Sequence, residues 1–73
     1  MIEDFDYGFV VKDRKTNEYF IGYNKWNTQL RKAKLYHSYE YAKQTRDDIR
    51  FIERDTCIVK VKIWEECELD YED

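Results

Sequence analysis

Residues 56–66, TCIVKVKIWEE, alternate apolar and charged side chains more regularly than any other part of the chain. Every second residue from Cys57 to Ile63 is apolar, and Lys60 and Lys62 stand between them. Successive side chains of a strand point to opposite faces of a sheet, so this pattern is typical of a strand with one buried face. The segment therefore predicts a β-strand, which requires partner strands elsewhere in the chain.

The first third of the sequence supplies two such partners. Tyr7, Phe9 and Val11 alternate onto one face, and after the polar segment 13–17 the alternation resumes at Tyr19. Two alternating runs separated by a short polar segment predict a β-hairpin.

The middle of the chain predicts a helix that begins after Ser38. The Ser38 hydroxyl can accept hydrogen bonds from the free amides of the next turn, which makes it a predicted N-cap. Beyond it, apolar or small residues recur at helical spacing over three to four turns. These residues are Tyr39, Ala42, Thr45, Ile49 and Ile52. Two interpretations are open for residues 24–37: a short helix around residues 30–34, or irregular chain that lays Trp26, Leu30 and Tyr36 onto the sheet.

The order of these elements predicts an α+β fold of the ββαβ type, with a three-stranded antiparallel sheet and one helix packed on one face. The 73 residues are expected to form one small domain, residues 1–73, with an acidic C-terminal tail at residues 65–73. A chain of this size buries only about 60% of its unfolded surface. Its aromatic fraction of 18% supplies the large side chains that such a thin core needs.

The predicted topology would gather negative charge at one end of the sheet. If the third strand pairs with the first, giving the order 2-1-3, all neighbours are antiparallel and the start of strand one lies beside the end of strand three. Nine carboxylates, without any Lys or Arg between them, would then lie together: Glu3, Asp4, Asp6, Glu65, Glu66, Glu68, Asp70, Glu72 and Asp73. If the third strand pairs with the second instead, the two acidic segments separate.

An acidic end that also carries aromatic residues suits docking onto a basic groove. Carboxylates spaced along a strand can stand in for phosphates, and aromatic rings supply anchoring area. The candidate partner-binding residues are Glu66, Glu68, Asp70, Tyr71 and Glu72. The alternative interpretation is that both segments are solvated chain ends that keep a small protein soluble.

A basic segment provides an alternative nucleic-acid-binding set, although the net charge of the chain is −3. Cations could follow a phosphate backbone while Trp26 or Tyr36 stacks on a base. The set comprises Lys25, Trp26, Arg31, Lys32 and Lys34. In the competing interpretation Trp26 and Leu30 belong to the core, and the cations form a solvated rim around it.

The residue inventory predicts neither catalysis nor a metal or cofactor site. His37 is the only histidine, and the two glycines, Gly8 and Gly22, are too few for a phosphate-binding loop. In one continuous strand Cys57 and Cys67 would lie roughly 33 Å apart, so we expect two reduced thiols. The sequence contains neither a bilayer-spanning apolar run nor a signal segment. These features predict a non-enzymatic cytoplasmic protein that does not bind membranes.

The chain resembles the small orphan proteins encoded by phages and prophages. A short strand pair, a Trp, the segment AKLYHSYEYA at residues 33–42 and a final strand carry this resemblance, together with a proline-free composition. Many such proteins of known role inhibit host machinery, among them anti-CRISPR and other anti-defence factors, several of which are acidic mimics of DNA. The resemblance implies a phage-encoded inhibitor that acts in the bacterial cytoplasm and docks an acidic surface onto a host nucleic-acid-processing enzyme. The modest net charge departs from that of strong DNA mimics. This modest charge is compatible with an inhibitor that binds protein at one end and nucleic acid, such as guide RNA, at the other.

Two further functions are compatible with the same residues. The first is a small nucleic-acid-binding accessory protein that uses residues 25–34. The second is a homo-oligomeric structural module, because Ile58 and Trp64 are predicted on the strand face opposite the helix, where an uncovered sheet favours self-association.

Overall fold

The computed structural model describes residues 7–48, 54–63 and 67–72. Within these ranges the chain forms one antiparallel five-stranded sheet, one α-helix and one short 3-10 helix at Leu30–Lys32. The elements are β1 (Tyr7–Asp13), β2 (Glu18–Gly22), β3 (Lys25–Asn27), α1 (Tyr39–Arg46), β4 (Thr56–Lys62) and β5 (Cys67–Tyr71). The predicted α+β class is therefore confirmed, whereas the prediction of three strands is wrong.

The sheet has the strand order β3-β2-β1-β4-β5. β1 pairs with β4 over its whole length, from Tyr7 opposite Lys62 to Asp13 opposite Thr56, which confirms the predicted pairing of the first strand with the strand after the helix. The sequence did not reveal β3 and β5. β3 is only three residues long, too short for an alternation to appear, and β5 contains Asp and Glu, which are depleted in strands.

β1 and β2 pair with each other only next to their connecting turn, at Lys12–Tyr19 and Asp13–Glu18. Farther from the turn the two strands separate, and residues 34–36 lie between them. Phe9 and Tyr36 exchange both backbone hydrogen bonds at 2.7 and 2.8 Å, while the Lys34 N–H donates to the carbonyl of Phe20 at 2.9 Å. Residues 24–37 thus combine the two structures predicted for them, a short helix and irregular chain laid onto the sheet.

The inserted segment packs closely against Gly8. A Cβ atom at this position would lie 2.5 Å from Leu35 Cδ1 and 3.2 Å from the carbonyl oxygen of Tyr36. Only a residue without a side chain fits here, so Gly8 allows the segment to approach β1.

Both faces of the sheet are covered, by different parts of the chain. The face that we call the loop face carries Val10, Tyr19, Cys57, Val59 and Val61, with Leu30, Ala33 and Leu35 packed over it. The opposite face, the helix face, carries Val11, Phe20 and Ile58, with Ala42 of α1 and Phe9, Trp26, Tyr36 and Tyr39 around them.

Ile58 was predicted on the face opposite the helix, and this prediction is wrong. Its side chain is fully buried on the helix face, while Cys57 and Val59 lie under residues 30–35. Alternation identifies the residues that share a face but not the face that the helix covers. Trp64, the other residue of that prediction, lies outside the described residues.

α1 begins as the sequence predicts. Ser38 Oγ accepts from the backbone N–H groups of Glu40 and Tyr41 at 3.1 and 3.4 Å, and Ala42 is fully buried. The helix ends at Arg46 with Asp47 as its C-cap, so its eight residues make a little over two turns and not the expected three to four. Ile49 and Ile52, which the longer prediction included, lie outside the described residues.

Candidate functional site

A buried ion pair on the loop face joins the second half of β1 to β5. Lys12 Nζ donates to Glu68 Oε2 at 2.8 Å and to the Tyr71 hydroxyl at 2.7 Å. The Tyr19 hydroxyl donates to the same oxygen of Glu68, and the Tyr71 hydroxyl donates to Glu68 Oε1 at 3.2 Å. We call these four residues, Lys12, Tyr19, Glu68 and Tyr71, the β5 latch.

The latch residues alter one another's protonation equilibria. Burial alone would lower the pKa of Lys12, but its hydrogen bonds to Glu68 and Tyr71 outweigh burial and raise this pKa above its usual value. Burial would raise the pKa of Glu68, but hydrogen bonds from Lys12 and Tyr19 lower it. Burial, followed by the hydrogen bond to Glu68, raises the pKa of Tyr19 to about 12. At neutral pH the latch therefore contains a charged Lys–Glu pair and a protonated Tyr19.

A β-bulge in β5 allows the latch to form. Tyr71 lies opposite Val59 and Asp70 opposite Lys60, but the register then shifts, so that Glu68 lies opposite Val61. Leu69 is the extra residue. In a regular strand residues 68 and 71 would point to opposite faces, whereas the bulge brings both onto the loop face.

β5 is the end strand of the sheet, and within the described chain no other strand pairs with its outer edge. Leu69 and Tyr71 are 42% and 51% exposed, and Asp70 and Glu72 are exposed beside them. The backbone N–H of Glu72 donates to the carbonyl of Ile58 at 2.7 Å, which extends the contact with β4 beyond the strand itself. An edge strand of this kind can pair with an extended segment of another protein.

The predicted partner-binding residues divide into three groups. Asp70, Tyr71 and Glu72 are exposed along β5, Glu68 is held in the latch, and Glu66 lies outside the described residues. The predicted gathering of carboxylates at one end of the sheet is wrong for the three that are described. β5 runs antiparallel to β4, so they lie along an edge of the sheet and not beyond the end of β4. The other six lie outside the described residues: Glu3, Asp4, Asp6, Glu65, Glu66 and Asp73.

A second buried carboxylate connects the β1–β2 hairpin to the start of β4. Asp13, which is 3% exposed, accepts from Arg54 Nη1 at 3.0 Å and from the backbone N–H groups of Lys15 and Thr16. The guanidinium carbon of Arg54 lies 4.0 Å from the centroid of the Trp26 ring. Arg54 thereby covers Trp26 with a cation–π contact.

The predicted nucleic-acid-binding set is only partly exposed. Lys25, Arg31, Lys32 and Lys34 are exposed, whereas Trp26 is half-buried, packs edge-to-face on Phe20 with ring centroids 5.5 Å apart, and belongs to the helix-face core. The core interpretation of Trp26 is confirmed. Its ring does not form the free platform that base stacking on this residue would need.

An exposed aromatic residue that the sequence did not reveal lies at the β2–β3 turn. Gly22 pairs with Lys25, so the turn consists of two residues, Tyr23 and Asn24, both with positive φ (56° and 60°). Two consecutive positive φ angles are typical of a type I′ turn, in which Asn and Gly are common. A bulky residue in this conformation costs about 1–2 kcal/mol. Tyr23 is nevertheless 95% exposed. The Gly–X–Asn sequence at residues 22–24 is the local signal that indicates such a turn.

Two concave regions lie on the described surface. An open groove of about 340 Å³ lies beside the β2–β3 turn and the end of α1, lined by residues that include Tyr23, Lys34, Tyr36, Gln44 and Asp48. A smaller pocket of about 110 Å³ lies under residues 30–35 on the loop face, and Val10, Leu30 and Val61 form part of its apolar lining.

Within residues 7–48, 54–63 and 67–72, no group of three His, Cys, Asp or Glu side chains is arranged to hold a metal ion. Cys57 and Cys67 are free thiols in two different strands, not in one continuous strand as expected, and burial raises the pKa of Cys57. No helix of the described chain combines the length and the apolar composition needed to cross a bilayer.

Comparison with known proteins identifies no relative, since no family model, no curated protein and no solved structure matches the chain.

Proposed function

We propose that this chain is a small non-catalytic binding protein, a phage-encoded inhibitor of the anti-CRISPR or anti-defence type, that docks onto a bacterial nucleic-acid-processing enzyme. The exposed outer edge of β5 supports this proposal. Leu69 and Tyr71 offer apolar anchoring area there, and Asp70 and Glu72 offer negative charge. Enzymes that process nucleic acids carry basic channels for phosphates, and an acidic edge complements such a channel.

The edge also offers a defined mode of docking. The unpaired backbone groups of an end strand can hydrogen-bond an extended segment of the target, so that the target adds a sixth strand. The carboxylates of Asp70 and Glu72 then meet the lysines and arginines that would otherwise bind phosphates. While β5 is bound, the nucleic-acid substrate cannot enter the basic channel of the target.

The latch supports docking by holding β5 in its bound conformation. Lys12 fixes the hydroxyl of Tyr71 at 2.7 Å, although half of the Tyr71 residue surface remains exposed. An anchor that is already oriented loses less conformational freedom on binding. Glu68 therefore acts in the proposal as a positioning residue, and the docking contacts come from Leu69, Asp70, Tyr71 and Glu72.

Two observations favour a non-catalytic protein with a foreign partner. The buried charged groups of the described chain are paired with residues distant in sequence, Lys12 with Glu68 of β5 and Asp13 with Arg54 before β4, an arrangement that holds the sheet together. A second copy docked through the same edge would bring the carboxylates of the two β5 strands close together, and like charges across a strand pair are destabilising.

The test first isolates the target enzyme and then measures how strongly it binds a variant without the negative charges of the β5 edge. The tagged chain is used to isolate partners from nuclease-treated bacterial lysate, and the captured enzyme is purified and assayed with increasing amounts of the chain. We expect stoichiometric inhibition that weakens with added salt.

The variant Asp70→Lys/Glu72→Lys should raise the Kd for that enzyme at least about 30-fold, because each carboxylate loses a charged partner. The control Glu40→Lys/Asp55→Lys makes the same change in net charge at exposed positions on α1 and before β4, and should leave the Kd within about threefold of the parent value. Equal affinity of the two variants, or capture that disappears with nuclease, contradicts the proposal.

A further inference from the structure

Tyr23 is an unusual residue for the tip of a β-hairpin. Its backbone adopts the left-handed conformation, its ring is 95% exposed, and within the described chain it makes no hydrogen bond, ion pair or ring contact. The type I′ turn sets the positive φ at this position, and nothing in that part of the chain covers the ring. Backbone strain of this kind clusters at functional sites.

The open groove begins at this ring. Phe20 and Tyr36 contribute apolar surface to it, and Gln44, Thr45 and Asp48 contribute polar groups from the end of α1 and the residues after it. Its volume of about 340 Å³ lies within the usual range of small-ligand sites. At Gly22 no heavy atom lies within 4 Å of the position that a Cβ would occupy, so the groove is open beside the turn.

Positive charge lies on both sides of the turn. Lys34 Nζ lies 5.7 Å from the centroid of the Tyr36 ring, and Lys25 stands opposite Gly22 in the β2–β3 pairing. Both lysines are exposed, and within the described chain neither forms an ion pair with a carboxylate. Asp48 contributes the carboxylate of the lining. Of the two lysines, Lys34 lines the groove, a position suited to a phosphate, and Gln44 can hydrogen-bond the polar edge of a base.

We propose that this groove binds one or two nucleotides of single-stranded nucleic acid, with Tyr23 as the stacking platform and Lys34 as the phosphate contact. An exposed aromatic ring beside cations is the combination that single-strand-binding proteins use. The ligand is single-stranded because the bases of a duplex are already stacked on one another and cannot cover the ring.

This site is separate from the docking edge of the proposed function. β3 and β5 are the two end strands of the sheet, so at least four strand spacings of about 4.8 Å, about 19 Å or more, separate them. A nucleoprotein target could therefore contact both, its protein at β5 and a single strand at Tyr23. The inference goes beyond the proposed function and is tested without the enzyme.

The test is fluorescence anisotropy of the full chain with labelled RNA and DNA oligonucleotides of about ten nucleotides at low ionic strength. Asn tolerates the left-handed backbone, so Tyr23→Asn removes the ring and keeps the turn. We expect its Kd to rise about 5- to 150-fold, the range for losing one stacked base. Tyr23→Phe keeps the ring and should bind like the parent. Tyr41→Asn removes another exposed tyrosine, one that does not line the groove, and should also bind like the parent.

A second measurement identifies the phosphate contact. Lys34→Gln should reduce the slope of log Kd against log salt by about 0.7, and Lys15→Gln, in the exposed β1–β2 turn, should leave that slope unchanged. The proposal is overturned by unchanged binding of Tyr23→Asn, or by the absence of binding to both RNA and DNA at low salt. It is also overturned by equal affinity for a duplex.

Discussion

The β5 latch can be tested by replacing Lys12 with Met, which has a similar length and no charge. The substitution leaves Glu68 partly buried without its cation. The Lys12 and Glu68 side chains are 9% and 25% exposed, so most of the pair is removed from water. Removing one partner of a buried pair typically costs about 3–5 kcal/mol, because the remaining charge is uncompensated.

The expected loss is smaller here for two structural reasons. A quarter of the Glu68 side chain reaches water, and the hydroxyl groups of Tyr19 and Tyr71 still donate to it. We therefore expect Lys12→Met to lower the free energy of unfolding by about 2–3 kcal/mol. A domain of 73 residues has roughly 4–11 kcal/mol in total, so the midpoint of thermal unfolding should fall by about 10–20 °C.

A double-mutant cycle isolates the interaction from the other effects of each substitution. Lys12→Met, Glu68→Gln and the double variant are unfolded in urea and followed by circular dichroism. The double variant contains no unpaired charge, so its loss should be smaller than the sum of the two single losses by at least about 1.5 kcal/mol. The control cycle uses Arg14 and Asp55, an exposed pair 3.5 Å apart, for which we expect less than about 1 kcal/mol. If the two losses at Lys12 and Glu68 add within about 0.5 kcal/mol, the two side chains do not stabilise each other and the latch contributes nothing to stability.

Two further predictions follow from the latch and from the inserted segment. Because the pKa of Glu68 is lower in the folded than in the unfolded chain, its contribution is present above the usual glutamate pKa and is lost as the pH falls through the folded value. The melting temperature of Glu68→Gln should consequently vary less than that of the parent in a pH series below about pH 5; parallel curves would contradict this. Gly8→Ala should cost about 1–3 kcal/mol in urea unfolding, because its Cβ would clash with Leu35. Leu35→Ala should lower the free energy of unfolding less in the Gly8→Ala variant than in the parent, because it removes the clashing side chain. Equal losses in the two backgrounds would exclude the clash.

Much of the sheet could be predicted because its central strands have one apolar side chain at every second position. The alternation from Cys57 to Val61 and from Tyr7 to Val11 identifies β4 and β1, and the preference for antiparallel neighbours predicts that they lie side by side, as they do. The same alternation cannot reveal which face a helix covers when both faces are buried. Ile58 was assigned to the wrong face for this reason.

The candidate sites were harder to predict because they depend on departures from regular structure. The exposed carboxylates of Asp70 and Glu72 are identified by composition, but the antiparallel pairing of β5 with β4 and the register shift at Leu69 leave no periodic signal. The alternation of Tyr19 and Ile21 continues to Tyr23 in the sequence, although Tyr23 occupies a two-residue turn. Sequence periodicity describes regular strands and says little about the bulges and turns where these side chains lie.

Because of the bulge at Leu69, some residues of β5 anchor the strand to the sheet and others remain exposed. The bulge brings Glu68 and Tyr71 onto the loop face, where Lys12 holds both, and it leaves Leu69 and Asp70 at the exposed edge. An acidic tail without a latch would have to be ordered when it binds, at about 1–2 kcal/mol per residue of backbone. In this chain the ordering of the five strand residues is completed during folding. Lys12, which is buried in β1, thus holds the exposed edge of β5 in the conformation that docking needs. For this reason Glu68 can position the strand while its neighbours make the docking contacts.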